Sequence, residues 1–247
     1  TKKGTGSFFF IKFLLMPRVA RNTIIDIPYH IIHRGNNKQK IFLSNDDYHY
    51  FISLITQSKK KYACNVYSYV LMPNHVHFIL EPKEQPHNLA KFVKLLAQKY
   101  AQYSNKKYKR TGTVWEGRFK SSPISKDSYL LACSRYIEMN PVRGCIVKDP
   151  AEYRWSSYRY KSGLDSNLLL LDRDPLYLDF GVNDEERQRK YREWFKQNHS
   201  SESDLHLIRE AINKNTVFGN REFKESLERL LGRDLTIKKQ GRPRKGG

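Results

Sequence analysis

Residues 75–77 read His-Val-His. On a strand, alternate side chains share a face, so His75 and His77 would project together while Val76 points the other way. Two neutral imidazoles held like that can chelate one divalent ion; the alternative is a pair of structural or surface histidines. Two ligands do not complete a shell. Downstream, Tyr136 and Asn140 are four apart and share a face if their segment is helical. An amide carbonyl such as that of Asn140 can ligate a hard cation, which would place a phenol one turn away from the metal. The other reading of Tyr136 is a packed aromatic, since the chain holds 16 tyrosines.

The elements that must position these groups can be read from the pattern. Residues 26–33 read as a strand closing on a turn at 34–37. A helix over 46–62 follows, capped by Ser44 or Asn45. Residues 65–72 and 75–80 read as a hairpin about Pro73-Asn74. A basic helix spans 87–107, an extended segment lies within 114–124, and a helix over 126–140 is capped by Ser125 and stopped by Pro141. Leu130, Cys133 and Ile137 form its apolar stripe. The order strand, helix, two strands, helix, strand, helix predicts an α+β fold: an antiparallel sheet with helices packed on one face, of the split βαβ kind. Residues 150–165 would close the core with Trp155. A helical unit over 166–235 follows, with helices at 185–197, 203–213 and 221–231. The expected organisation is therefore 1–15 leader or extension, 16–165 catalytic domain, 166–235 helical domain and 236–247 basic tail.

Composition narrows the partner. Of 247 residues, 45 are Lys or Arg and 25 are Asp or Glu, a formal charge of +20, and 13% are aromatic. The charge is uneven: residues 1–165 hold 28 basic and 11 acidic side chains, whereas 166–235 hold 12 and 14. A positive field interleaved with aromatics suits a polyanion with unstacked bases. The hydrophobic content excludes wholesale disorder, and no uncharged apolar run is long enough to span a bilayer. The three cysteines lack CxxC spacing, which points away from disulfides and cysteine zinc sites and fits a reducing cytoplasm. Residues 238–245 resemble an AT-hook with Gln240 in place of its first Arg; Arg242 and Arg244 would enter a narrow minor groove. The plainer reading is a basic tail.

LMPNHVHFIL (71–80) and RYIEMNPVR (135–143), in this order, resemble the HuH single-strand DNA transposases with one catalytic tyrosine, and specifically the REP-associated tyrosine transposases of bacteria. HRGNNKQKIF (33–42), GTVWEGRFKSSPI (112–124) and YRWSSY (153–158) fit the same pattern, so the resemblance extends over residues 17–163. It implies a ferredoxin-like, RRM-like HuH fold. It further implies that His75, His77 and Asn140 hold Mg²⁺ or Mn²⁺, and that Tyr136 attacks phosphorus to give a 5′-phosphotyrosine and a free 3′-OH. Relatives often carry Gln at the position of Asn140, and Asn is shorter. The implied substrate is single-stranded DNA beside a palindromic hairpin. Arg34, Asn36, Asn37, Arg118 and Lys120 are then candidate DNA contacts, by phosphate pairing or base-edge reading, or else turn and solvated residues. A monomer is preferred over a homodimer because of the extra C-terminal unit, and a cytoplasmic, nucleoid-associated site follows from the substrate. Three rivals stay open: a DNA-hairpin-binding protein with a decayed site, a HuH replication initiator or relaxase, and a metal hydrolase in which the tyrosine has no role.

Overall fold

The first long helix starts where Ser44 turns the chain, and the Asp47 carboxylate accepts the backbone N–H groups of Leu43 (2.7 Å) and Ser44 (3.0 Å). Those bonds satisfy donors that a helix start leaves orphaned. In the computed structural model, which describes residues 23–166, 170–232 and 234–235, the core runs β1 (Tyr29–Arg34), α1 (Asn45–Tyr62), β2 (Cys64–Met72), β3 (His75–Pro82), α2 (Asn88–Lys107) and β4 (Lys120–Pro123). The four strands form one antiparallel sheet in the order β2-β3-β1-β4. This is the expected split βαβ arrangement.

One face of the sheet is apolar. Val76, Phe78 and Leu80 of β3 are buried, and Phe78 meets Phe51 of α1. Phe51, Leu54 and Ile55 of α1 and Leu89, Phe92, Val93 and Leu96 of α2 complete that layer. The opposite face is also covered. It carries α3 (Ser128–Glu138), packed mainly on β2, and, from further along the chain, a helix that reaches β4, β1 and α3. After α3 come α4 (Asn140–Arg143), α5 (Tyr158–Lys161), α6 (Pro175–Leu178), α7 (Asp184–Gln197), α8 (Glu202–Lys214) and α9 (Arg221–Leu231); α8 is the helix on the second face. Its Ile208 and Ala211 join the central core, while Tyr158, Tyr177, Tyr191 and Phe195 form a smaller aromatic cluster of their own.

Three local expectations change. The first strand begins at Tyr29, after a turn in which Asp26 takes a positive φ of 58°. The cap of α3 is Asp127, which accepts from Tyr129 N (3.0 Å), and Ser125 instead donates its hydroxyl to Asp127 (2.8 Å). Pro141 does not end helical backbone. It sits in the first turn of α4, where a missing N–H costs nothing.

Both edges of the sheet are occupied by the chain itself. Along β2, Leu71 N donates to Trp155 O (2.9 Å), Ser157 N to Tyr69 O (2.9 Å) and Asp172 N to Val66 O (2.8 Å). Along β4, Ser121 N donates to Asn215 Oδ1 (3.0 Å), and Phe218 N to Pro123 O (2.9 Å). Among the described residues no helix is long and apolar enough to cross a membrane. The leader 1–15 and the tail 236–247, with Arg242 and Arg244, lie outside the described residues.

Candidate active site

Strand register decides which side chains meet. Arg34 pairs with His75, Ile32 with His77 and His30 with Ile79, so His30, Arg34, His75 and His77 all emerge on the face that carries α3. His77 is 2% exposed and His30 is 1% exposed. Their rings stack at 5.0 Å, with His30 Nε2 2.8 Å from His77 Nδ1. The His75 ring lies 5.1 Å from that of His77, and its Nδ1 is 2.6 Å from Asn74 Oδ1.

In both rings of the His-Val-His pair, then, Nδ1 is engaged by a neighbour, which leaves Nε2 as the ligating atom. Burial holds all three imidazoles in the neutral form. It lowers His30 to about 3; burial and then the nearby Arg34 lower His75 to about 4. Burial, followed by its cationic and imidazole neighbours, takes His77 well below the ordinary range. Neutral imidazoles with anchored Nδ1 atoms fit a divalent cation. Among the described residues, no group of three or more His, Cys, Asp or Glu is disposed to hold a metal. A complete shell would therefore need another donor type, such as an amide, water or substrate oxygen.

The third element is α3. Leu130, Cys133 and Ile137 are buried at helical spacing, as expected, and this rotation carries Tyr136 to the imidazoles. Its ring stands edge-on at 5.8 Å from His30 and 6.0 Å from His77. Asn140 lies just past the end of α3, and its Nδ2 donates to Tyr136 O (3.0 Å) and Ile137 O (3.2 Å). The amide nitrogen thus caps carbonyls that the helix end would leave unpaired, and Oδ1 is the atom that could serve a cation.

Two guanidinium groups converge on Tyr136. Arg143 covers the ring at 4.3 Å and also donates to the Tyr136 carbonyl. Arg209 of α8, a helix packed on α3, acts on the Tyr136 side chain as a neighbouring cation and pairs with Glu202 at 2.9 Å. Burial raises the phenol above its ordinary value, against the pull of Arg143 and Arg209. Burial also lowers Arg143 to about 10, with Arg209 and Arg135 adding repulsion.

The candidate DNA contacts divide. Arg34, Asn36, Asn37 and Arg118 gather at the His75 end of the sheet. There Gly35 N donates to Asn74 O (2.8 Å), Asn36 N to Val114 O (2.9 Å) and Glu116 N to Arg34 O (2.8 Å). Only glycine fits at 35, because a Cβ would meet the Gln39 carbonyl and lie 2.7 Å from Ile41 Cγ2. Asn37 takes a positive φ of 50° in the short 3-10 turn there, and Arg118 is exposed. Lys120 instead donates to Asn213 of α8 (2.8 Å). Sequence reasoning gave no role to His30, Arg143 or Arg209. Arg143 stood inside a quoted motif, but His30 and Arg209 become visible only with the strand register and the docking of α8.

With this geometry in view, residues 23–140 match the family model of the IS200-like transposases. That segment belongs to the IS200-like transposase family. Among solved structures, the REP-associated tyrosine transposase bound to a REP hairpin aligns with a TM-score of 0.52 at 16% identity, over 64% of this chain and 93% of its own. At that identity the likeness is one of fold. A second structure, a candidate transposase from Deinococcus radiodurans R1, aligns with a TM-score of 0.35 at 17% identity, over 49% of this chain and 95% of its own. No curated protein matches the chain. Arg143 and Arg209 both fall outside the 23–140 transposase segment.

Proposed function

We propose that this transposase is a metal-dependent single-strand DNA endonuclease and strand transferase that works through a 5′-phosphotyrosine. The observation that carries the reading is the Tyr136 ring set 6.0 Å from His77, within an IS200-like transposase segment. His75 and His77, with Asn140 as third donor, would hold Mg²⁺ or Mn²⁺. When bound, such an ion polarises a phosphate and offsets its charge. Tyr136 Oη gives up its proton and attacks phosphorus, the new O–P bond replaces the P–O3′ bond, and the departing 3′ oxygen is protonated. A phenol, with an ordinary pKa of about 10, leaves more readily than an alkoxide. A 3′-OH can therefore reverse the step and join strands without ATP.

A hairpin beside a single strand is the proposed substrate. The solved REP-bound transposase lends support to it, as do the net charge of +20 and the polar and basic residues Arg34, Asn36, Asn37 and Arg118 at the His75 end of the sheet. These residues would hold phosphates and base edges.

The test uses the full chain with a hairpin oligonucleotide bearing a labelled 3′ flank, in Mg²⁺ or Mn²⁺. Wild type should yield a denaturation-resistant protein–DNA adduct. Tyr136→Phe should lower adduct and cleavage at least ~10³-fold with hairpin binding retained. His75→Ala and His77→Ala should lose metal-dependent cleavage and still bind. Cleavage by Tyr136→Phe at the wild-type rate would favour a metal hydrolase, and binding without any adduct in wild type would favour a decayed site.

A further inference from the structure

The helical segment beyond the transposase core has no role in the reaction as proposed so far, yet its helix α8 packs on α3 and brings a cation beside the nucleophile. We propose that Arg209 of α8 is a further catalytic residue, binding the Tyr136 oxygen before attack and the tyrosyl phosphate after it. The inference rests on the tyrosine mechanism above.

Four observations carry it. The two guanidiniums at Tyr136 do different work: Arg143 is spent on the ring face and on the main-chain carbonyl, whereas Arg209, on a helix packed against α3, acts on the phenol end of the side chain as a neighbouring cation. Arg209 is aimed by a partner on its own helix, since Glu202 two turns earlier holds it at 2.9 Å. It is only partly buried, whereas Tyr136 is 7% exposed, so its guanidinium is open to an incoming anion while the phenol is enclosed. Finally, α8 is fixed rather than loosely apposed. Ile208, Ala211 and Ile212 are buried, Asn213 accepts from Lys120, and Asn215 accepts from the β4 backbone.

The chemistry follows from those placements. As the O–P bond forms and the P–O3′ bond breaks, negative charge spreads over the phenolic, phosphoryl and departing oxygens. A guanidinium keeps its protons throughout, so Arg209 acts as a fixed charge and donor and never as a proton carrier. Its planar fork can keep one N–H on the bridging oxygen while others take a phosphoryl oxygen. In the free protein one of those donors is engaged by Glu202, which substrate would displace. The core alone would thus supply the metal ligands and the nucleophile, and the C-terminal segment would supply the anion donor.

Single-turnover adduct formation on the hairpin oligonucleotide tests this, with binding measured separately. Arg209→Ala should slow the step about 10²-fold or more at unchanged hairpin affinity and melting temperature. Free guanidinium ion should restore part of the rate in Arg209→Ala and none in Tyr136→Phe. Arg209→Lys should lie between, keeping charge but losing the fork. A rate in Arg209→Ala equal to or above wild type would overturn the proposal and make α8 a cover over the phenol. Equal losses of rate, affinity and melting temperature in both Arg209 variants, without guanidinium rescue, would also overturn it. If Tyr136→Phe still cleaved, the tyrosine mechanism would fail instead, whatever the Arg209 result.

Discussion

Helix α3 carries two buried polar assemblies, one at Ser134 and Glu138 and the other at Tyr136 between them, and they are built on opposite rules. The first centres on Lys161, which is 2% exposed. Its Nζ donates to Ser68 (2.8 Å) and Ser134 (2.7 Å) and sits between Glu138 (3.7 Å) and Asp174 (3.6 Å). Glu138 in turn accepts from Ser157 and Tyr191, each at 2.6 Å. Every charge there has an opposite neighbour, and each oxygen of Glu138 has a donor. The second assembly, around Tyr136, gathers Arg143, Arg209 and neutral imidazoles, with Glu202 as the acidic partner of Arg209. A closed, compensated network holds helices together. A cation-rich one with ring nitrogens left over has the chemistry that the proposed metal and phosphate would need.

The contrast can be broken most forcefully at its closed end. Lys161→Met leaves Glu138 and Asp174 buried without their cation, and should cost about 3–5 kcal/mol, seen in denaturant unfolding. Adduct formation per folded molecule should survive; a variant as stable as wild type would show that the network is not what secures α3. A weaker effect is expected at the open end. His30→Phe keeps a flat ring against Tyr136 but removes the nitrogen that meets His77 Nδ1, so Mn²⁺ affinity by calorimetry should fall about 10–100-fold. Unchanged affinity would reduce His30 to packing. Smallest should be Ser134→Ala, which removes one of the Lys161 acceptors and should cost about 1 kcal/mol with no change in Mn²⁺ affinity. If metal binding did shift, the two assemblies would be coupled through the helix.

Much of this was legible in the sequence, for reasons that particular residues make plain. Alternation along a strand put His75 and His77 on one face, and the stripe Leu130, Cys133, Ile137 fixed the rotation of α3 that turns Tyr136 toward them. Both are short-range periodicities. His30 was hidden because its meeting with His77 depends on how far β1 slides along β3, and a shift of one residue would have sent its ring to the other face. Lys161 and Arg209 were hidden by distance, since they reach Ser68 and Tyr136 only after long stretches of chain have folded back. The capping of α3 was misread because Ser125 and Asp127 are both good capping types. The candidate DNA contacts Arg34, Asn36, Asn37 and Arg118 were legible as a turn and a basic loop, and their meeting place was not.

The occupied rims of the sheet have a consequence for company. A β-layer with unclaimed N–H and C=O groups along its border invites a neighbouring molecule to continue the ladder, in register or as an aggregate. Here Trp155, Ser157 and Asp172 take up one border and Asn215 and Phe218 the other. Among the described residues a second copy would find these borders already claimed, so the sheet is not an open ladder for joining molecules into larger sheets.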